Sequence, residues 1–203
     1  MGVRFLSATG LILFLWCGYG LLALNQKTQT KNPNLKVGLI QGNVEQFMKW
    51  DPVYPKLVLG KYRNLTLKAA QAKPQLIVWP ETALPYYYGQ QTVGTKFVKD
   101  LARQAEVPIL FGSPHRKMQD GKIVHYNSAY LVSKSGENQN RYDKIHLVPF
   151  GEFVPFRNLL FFVEKMVEMI GDFGRGKEAV VFDVASFKAG ISICYELIFP
   201  DLI

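Results

Sequence analysis

Residues 6–24, LSATGLILFLWCGYGLLAL, carry no charged side chain. At about 1.5 Å of rise per residue, such a run matches the roughly 30 Å of hydrocarbon in a bilayer. In lipid, a single segment satisfies its own backbone hydrogen bonds only as a helix, so residues 1–24 are expected to form one transmembrane helix. A cleaved signal peptide and a buried core helix are the competing readings. No small-x-small cleavage site follows Leu24, and the apolar run is longer than most signal h-regions. Arg4 precedes the run while Lys27 and Lys31 follow it, so flanking charge sets no orientation. Residues 25–34, polar and containing Pro33, read as a linker to one domain over residues 35–203.

The chain has 203 residues, of which 48% are hydrophobic and 20% charged, which suits a globular domain with a sizeable core and argues against disorder. The formal charge of +8 comes from scattered basic residues and not from an arginine-rich run, so nucleic acid is not an expected partner. The two cysteines, Cys17 and Cys194, read as free thiols, because Cys17 lies inside the apolar run, out of reach of a folded domain.

Hydrophobic periodicity then orders the domain. Val37, Leu39 and Ile40 begin a strand that runs into a loop at Gly42 and Asn43. Asp51-Pro52 offers a helix start, and Tyr54, Leu57, Val58, Tyr62, Leu65 and Ala69 recur at helical spacing behind it. A strand over 75–78 stops at Pro80, a helix covers 95–105, and a strand follows at 107–111. Asp120-Gly121 and Ser135-Gly136 mark turns around a strand at 122–133, and a last pair is expected at 179–184 and 187–194. Alternating strands and helices predict an α/β layered fold. Residues 157–170 read either as a core helix or as an apolar lid near Phe150, Phe153 and Phe156.

Glu81 in VWPET, Lys144 in YDKIH and Cys194 in SICYE each follow or end a strand pattern, where α/β folds present functional groups. Singly they have bland explanations: a helix cap, a surface ion pair and a packed thiol. Together they supply base, cation and thiol. A cysteine of pKa about 8.5 is mostly protonated at neutral pH, so nucleophilic attack on a carbonyl needs a base or a cation beside it. Glu81 can take the proton, and Lys144 can favour the thiolate and the oxyanion that its attack creates. No metal or cofactor is expected.

The ordered set WPE, YDKxHLVPFGEFVPF and CYE resembles the nitrilase (carbon-nitrogen hydrolase) superfamily. With VGLIQGNVEQFMKWDP, YNSAYLV and GISICYELIFPDL behind an apolar helix, it is similar to the apolipoprotein N-acyltransferase family within it. That resemblance implies an αββα sandwich held on the periplasmic side of the bacterial inner membrane. It also implies transfer of an acyl chain from a phospholipid, through a cysteine thioester, to the amine of a diacylglyceryl-cysteine apolipoprotein. It makes Glu81 the base, Lys144 the oxyanion partner and Cys194 the nucleophile. Glu152, Tyr195 and Glu196 match positions near the family's site, and Trp50 and Asn127 match further motif positions. Chains of that family carry more membrane helices before this domain and more of the sandwich after CYE. Since this one ends at Ile203, the expectation is a piece truncated within the sandwich. An amidase-like hydrolase with the same three residues, and an inactive remnant, remain alternative readings.

Overall fold

The computed structural model describes residues 2–25, 35–45, 53–90, 92–153, 155, 173–184 and 187–202. Two compact units divide the chain at residue 34. The first contains helix α1 (Gly2–Asn25). Its stretch Ser7–Asn25 has a mean hydropathy of 1.7, contains no buried residue, and is long and apolar enough to cross a membrane. Cys17 and Cys194 are both free thiols.

The second unit is built on a mixed five-stranded sheet in the order β1-β2-β3-β4-β5. Its strands are β1 (Val37–Leu39), β2 (Leu76–Val78), β3 (Ile109–Gln119), β4 (Lys122–Val132) and β5 (Asn138–Asp143). The first three run parallel, and β3, β4 and β5 are antiparallel neighbours. Helices α2 (Pro55–Ala70) and α3 (Val93–Ala105) make the crossovers that parallel pairing requires.

Side chains alternate across a sheet, and the apolar ones sort into two cores. Ile77, Ile109, Phe111, Tyr130 and Val132 face one way and pack with Val58, Leu59 and Tyr62 of α2 and Val98, Leu101 and Ala102 of α3. Leu76, Ala129, Leu131 and Tyr142 face the other way and meet Phe182 and Val184. Those two belong to β6 (Val181–Val184), which pairs with β7 (Phe187–Gly190) in a separate two-stranded sheet. The layers are therefore helix, sheet and second sheet. The buried indole of Trp79 donates to Thr66 of α2 at 3.0 Å, so a polar group in the helical core is satisfied and not stranded.

Several boundaries depart from the sequence reading. Helix α2 starts at Pro55, with no side-chain cap from Tyr54, so the first-turn proline is Pro55 and not Pro52. Leu57, expected on the packed face, is 60% exposed. Strand β3 continues through SPHRKMQ to Gln119, because cross-strand bonding to β4 sustains polar residues that carry no strand pattern of their own. Strand β5, NQNRYD, is an edge of the sheet and has no apolar alternation to reveal it. The last strand ends at Gly190, and a 3₁₀ turn begins at Cys194. Phe156 and the helix expected at 157–170 lie outside the described residues.

Candidate active site

Strand ends converge on one side of the sheet. After β2, Pro80 turns the chain and Thr82 takes a left-handed φ of 49°, which swings Glu81 over β3. Gly112 makes this approach possible. A Cβ there would stand 2.5 Å from the Thr82 nitrogen and 2.7 Å from the Glu81 Cα. The corner is latched from both sides of Gly112, whose N–H donates to Pro80 and whose carbonyl accepts from Leu84. The sequence reading overlooked Gly112; its signal is a glycine inside an apolar strand, which marks a close backbone approach.

Beside this corner, Asn127 of β4 donates through Nδ2 to Glu81 Oε1 at 2.6 Å and to Glu152 Oε1 at 3.0 Å. An amide that gives both N–H bonds to carboxylates is fixed in orientation. Its own carbonyl oxygen is buried without a partner among the described residues. Lys144 follows β5 and is only 1% exposed. Its ammonium lies 3.0 and 2.9 Å from the two oxygens of Glu152, and its backbone N–H donates to the backbone carbonyl of Asn127. Glu152 also accepts from the Val148 N–H. The pairing with Glu152 is what makes burial of the Lys144 charge tolerable.

Cys194 stands after β7, exposed, with a left-handed φ of 53°. A non-glycine residue in that region costs on the order of 1 kcal/mol or more and persists only where the surroundings enforce it. The enforcing group is Glu196, which has no exposed surface. Its Oε1 accepts from the Tyr142 hydroxyl and the N–H groups of Ile145 and His146 at 2.7, 2.7 and 3.0 Å. Its Oε2 accepts from the Ile193 N–H at 2.8 Å. One carboxylate thus ties the turn of Cys194 to the segment that follows Lys144. Burial, reinforced by the bond to Glu196, pushes the Tyr142 phenol above its ordinary range, so it stays a donor.

Glu81, Gly112, Asn127, Ile193 and Cys194 line one cavity of about 270 Å³. Lys144 and Glu152 join its wall through Asn127. Tyr195 is half-buried and packs edge-on against Phe199, which stacks on His146 at 4.0 Å. Phe150 is 51% exposed, and Phe153 lies under the Arg175 guanidinium. Trp50 lies outside the described residues. The assembled set offers an accessible thiol, a carboxylate with spare lone pairs lining the same cavity, and, behind its wall, a buried ammonium whose position is fixed. That is equipment for nucleophilic attack on a carbonyl.

Residues 24–203 match the carbon-nitrogen hydrolase family. The chain is 43% identical over 168 residues to an apolipoprotein N-acyltransferase of Geobacter metallireducens, covering 82% of this chain and 32% of that protein. It is 33% identical over 207 residues to the enzyme of the same name from Brucella suis, covering 96% and 39% respectively. The chain therefore spans between about a third and two-fifths of the length of these relatives. Among solved structures, an amidase from Nesterenkonia sp. aligns with a TM-score of 0.59 at 17% identity, covering 88% of this chain and 62% of that one. A mutant of the amidase from Nesterenkonia sp. AN1, with a TM-score of 0.59 at 16% identity, shows the result of acrylamide addition at its active-site cysteine, covering 83% of this chain and 61% of that one. These likenesses concern the fold.

Proposed function

The chain belongs to the carbon-nitrogen hydrolase family, and from that membership we propose that it carries the catalytic centre of an N-acyltransferase that matures lipoproteins at the bacterial inner membrane. The observation that carries this reading is the single cavity shared by Glu81, Asn127 and Cys194, with the Lys144–Glu152 pair bonded to its wall. The curated relatives named apolipoprotein N-acyltransferase supply the choice of reaction within the family.

In the first half-reaction Glu81 takes the proton of the Cys194 thiol, and the thiolate attacks the ester carbonyl of a phospholipid. The Lys144 ammonium stabilises the tetrahedral oxyanion. When the intermediate collapses, the ester C–O bond breaks, and the lysophospholipid alkoxide leaves with the proton returned by Glu81. Cys194 is left as an acyl thioester. In the second, the amine of a diacylglyceryl-cysteine attacks the thioester, Glu81 removes its proton, and an amide forms as the thiol is regenerated. Glu152 and Asn127 hold Lys144 and Glu81, and Glu196 holds the turn of the nucleophile. Tyr195 belongs to the substrate side, and Phe150 and Phe153 to the wall around the acyl chain. Residues 1–24 cross the membrane, residues 25–34 link, and residues 35–203 lie on the periplasmic side.

Incubating the chain with phospholipid and no amine tests this directly. Intact mass should rise by one fatty acyl group that hydroxylamine removes, that Cys194→Ala prevents and that a diacylglyceryl peptide discharges. Lys144→Met should slow its formation by about 10²-fold, the scale of losing one oxyanion partner. An adduct on another residue rules out the route through Cys194, and discharge by water as fast as by the amine makes the activity a hydrolase. For topology, a thiol introduced by Lys134→Cys should react with an impermeant reagent in cells whose inner membrane is intact.

A further inference from the structure

The β3–β4 ladder runs unbroken from Ile109↔Val132 to Gln119↔Lys122, but only its first half is packed. Residues 111–114 and 126–132 are buried, whereas 116–123 are exposed throughout. The tip is therefore a paired hairpin that stands clear of the core. Near its end Met118 and Ile123 are direct cross-strand partners, 64% and 54% exposed. Directly opposed side chains lie about 5 Å apart, so these two form one apolar patch and not two scattered residues. By strand parity they project from the same face as Asn127, the face of the candidate active site.

The opposite face carries charge. Two cavities of about 290 and 560 Å³ meet along Tyr126, Arg175 and Lys177, and between them they add Lys117, Arg141 and Lys122 to their walls. The facing carboxylates are Asp120, Asp143 and Glu178, of which Asp143 is already engaged by Arg141 at 3.2 Å. Positive charge is in excess. A small apolar tip flanked by lysines is ill suited to a protein interface, which needs a broader complementary surface, but it fits the boundary between anionic head groups and acyl chains.

We propose that the tip of the β3–β4 hairpin is an interfacial contact for anionic lipid, with Met118 and Ile123 reaching the acyl region while Lys117, Lys122 and Lys177 meet head-group phosphates. The test uses the full chain in phosphatidylcholine vesicles with or without about a third of phosphatidylglycerol, a composition within the range where basic segments respond to surface charge. Cys17→Ala and Cys194→Ala remove the native thiols and with them the acyl-transfer chemistry, so the result is independent of the proposed function. A bimane label is then placed through Met118→Cys, Ile123→Cys or, as reference, Lys134→Cys in the exposed turn beyond the far end of β4. Brominated acyl chains should quench the two tip labels at least about threefold more than the reference in anionic vesicles, as expected for side chains seated at the acyl boundary. Lys117→Glu, Lys122→Glu and Lys177→Glu together should bring them down to the reference, since each lysine at an anionic surface changes partition about fivefold. Quenching at the tip equal to the reference overturns the proposal. Quenching indifferent to phosphatidylglycerol overturns it too, as does label protection that grows with protein concentration in the absence of lipid.

Discussion

Glu196 and Glu81 are carboxylates at two neighbouring corners, and they are held in opposite ways. Glu196 has no exposed surface and receives four hydrogen bonds from described residues, three of them from backbone N–H groups. Glu81 is exposed, and among the described residues Asn127 is its one side-chain donor. A carboxylate so fully saturated with donors serves as a brace. One with free lone pairs at a cavity wall can exchange a proton with what enters. Two glutamates that look alike beside motif residues are thus separated into framework and chemistry by their donors.

The sharpest way to break this contrast is Glu196→Ala. Buried donors left without an acceptor cost about 1–3 kcal/mol each, so the loss should reach about 3 kcal/mol or more after local relaxation. Denaturant unfolding measures it, and hydrogen exchange should locate it at the amides of Ile193, Ile145 and His146. A loss under about 1 kcal/mol would put Glu196 outside the framework. Gly112→Ala comes next. Its Cβ must push the Glu81 corner away, at about 1–3 kcal/mol for overpacking, and thioester formation should fall further than stability does. Equal loss in both would mean that the close approach matters only for folding.

Asn127→Ala should cost about 1 kcal/mol and slow thioester formation, because Glu81 loses its anchor and Glu152 one donor. Comparing the rate at saturating and limiting phospholipid separates misplaced chemistry from weakened binding. Tyr142→Phe removes one of the four donors to Glu196 and should cost about 1 kcal/mol, with the remaining three keeping the turn in place. Glu81→Ala is the mildest of these for the fold, within about 0.5 kcal/mol, as for an exposed residue away from the core. A large destabilisation there would erase the difference between the two corners.

Much of the architecture was written in local pattern. The apolar run at residues 6–24, the helical spacing at 54–69 and 95–105, and the Asp120-Gly121 hairpin turn all follow from residue types. That turn needs two left-handed residues and has them, at φ of 50° and 74°. The candidate site residues were named from their order and flanking motifs, and the structure brings Glu81, Asn127 and Cys194 to one cavity. Strand β5 was not, because NQNRYD owes its state to bonding with β4 and not to periodicity. Nor was the polar half of β3, for the same reason.

What the sequence determined by itself is which side chains are available and which segments alternate or repeat with helical period, since those depend on neighbours along the chain. The tertiary structure decided how they combine. Gly112 lets one strand carry the Glu81 corner of another, Asn127 spans two carboxylates from different segments, and Glu196 binds the turn of Cys194 to the residues after Lys144. Apart from the local bond between Glu196 and Ile193, these contacts join residues tens of positions apart. Donors and acceptors meet at such separations only once the two cores have fixed the sheet between them, so a local signal such as Gly112 within its strand marks a close approach without naming the partner.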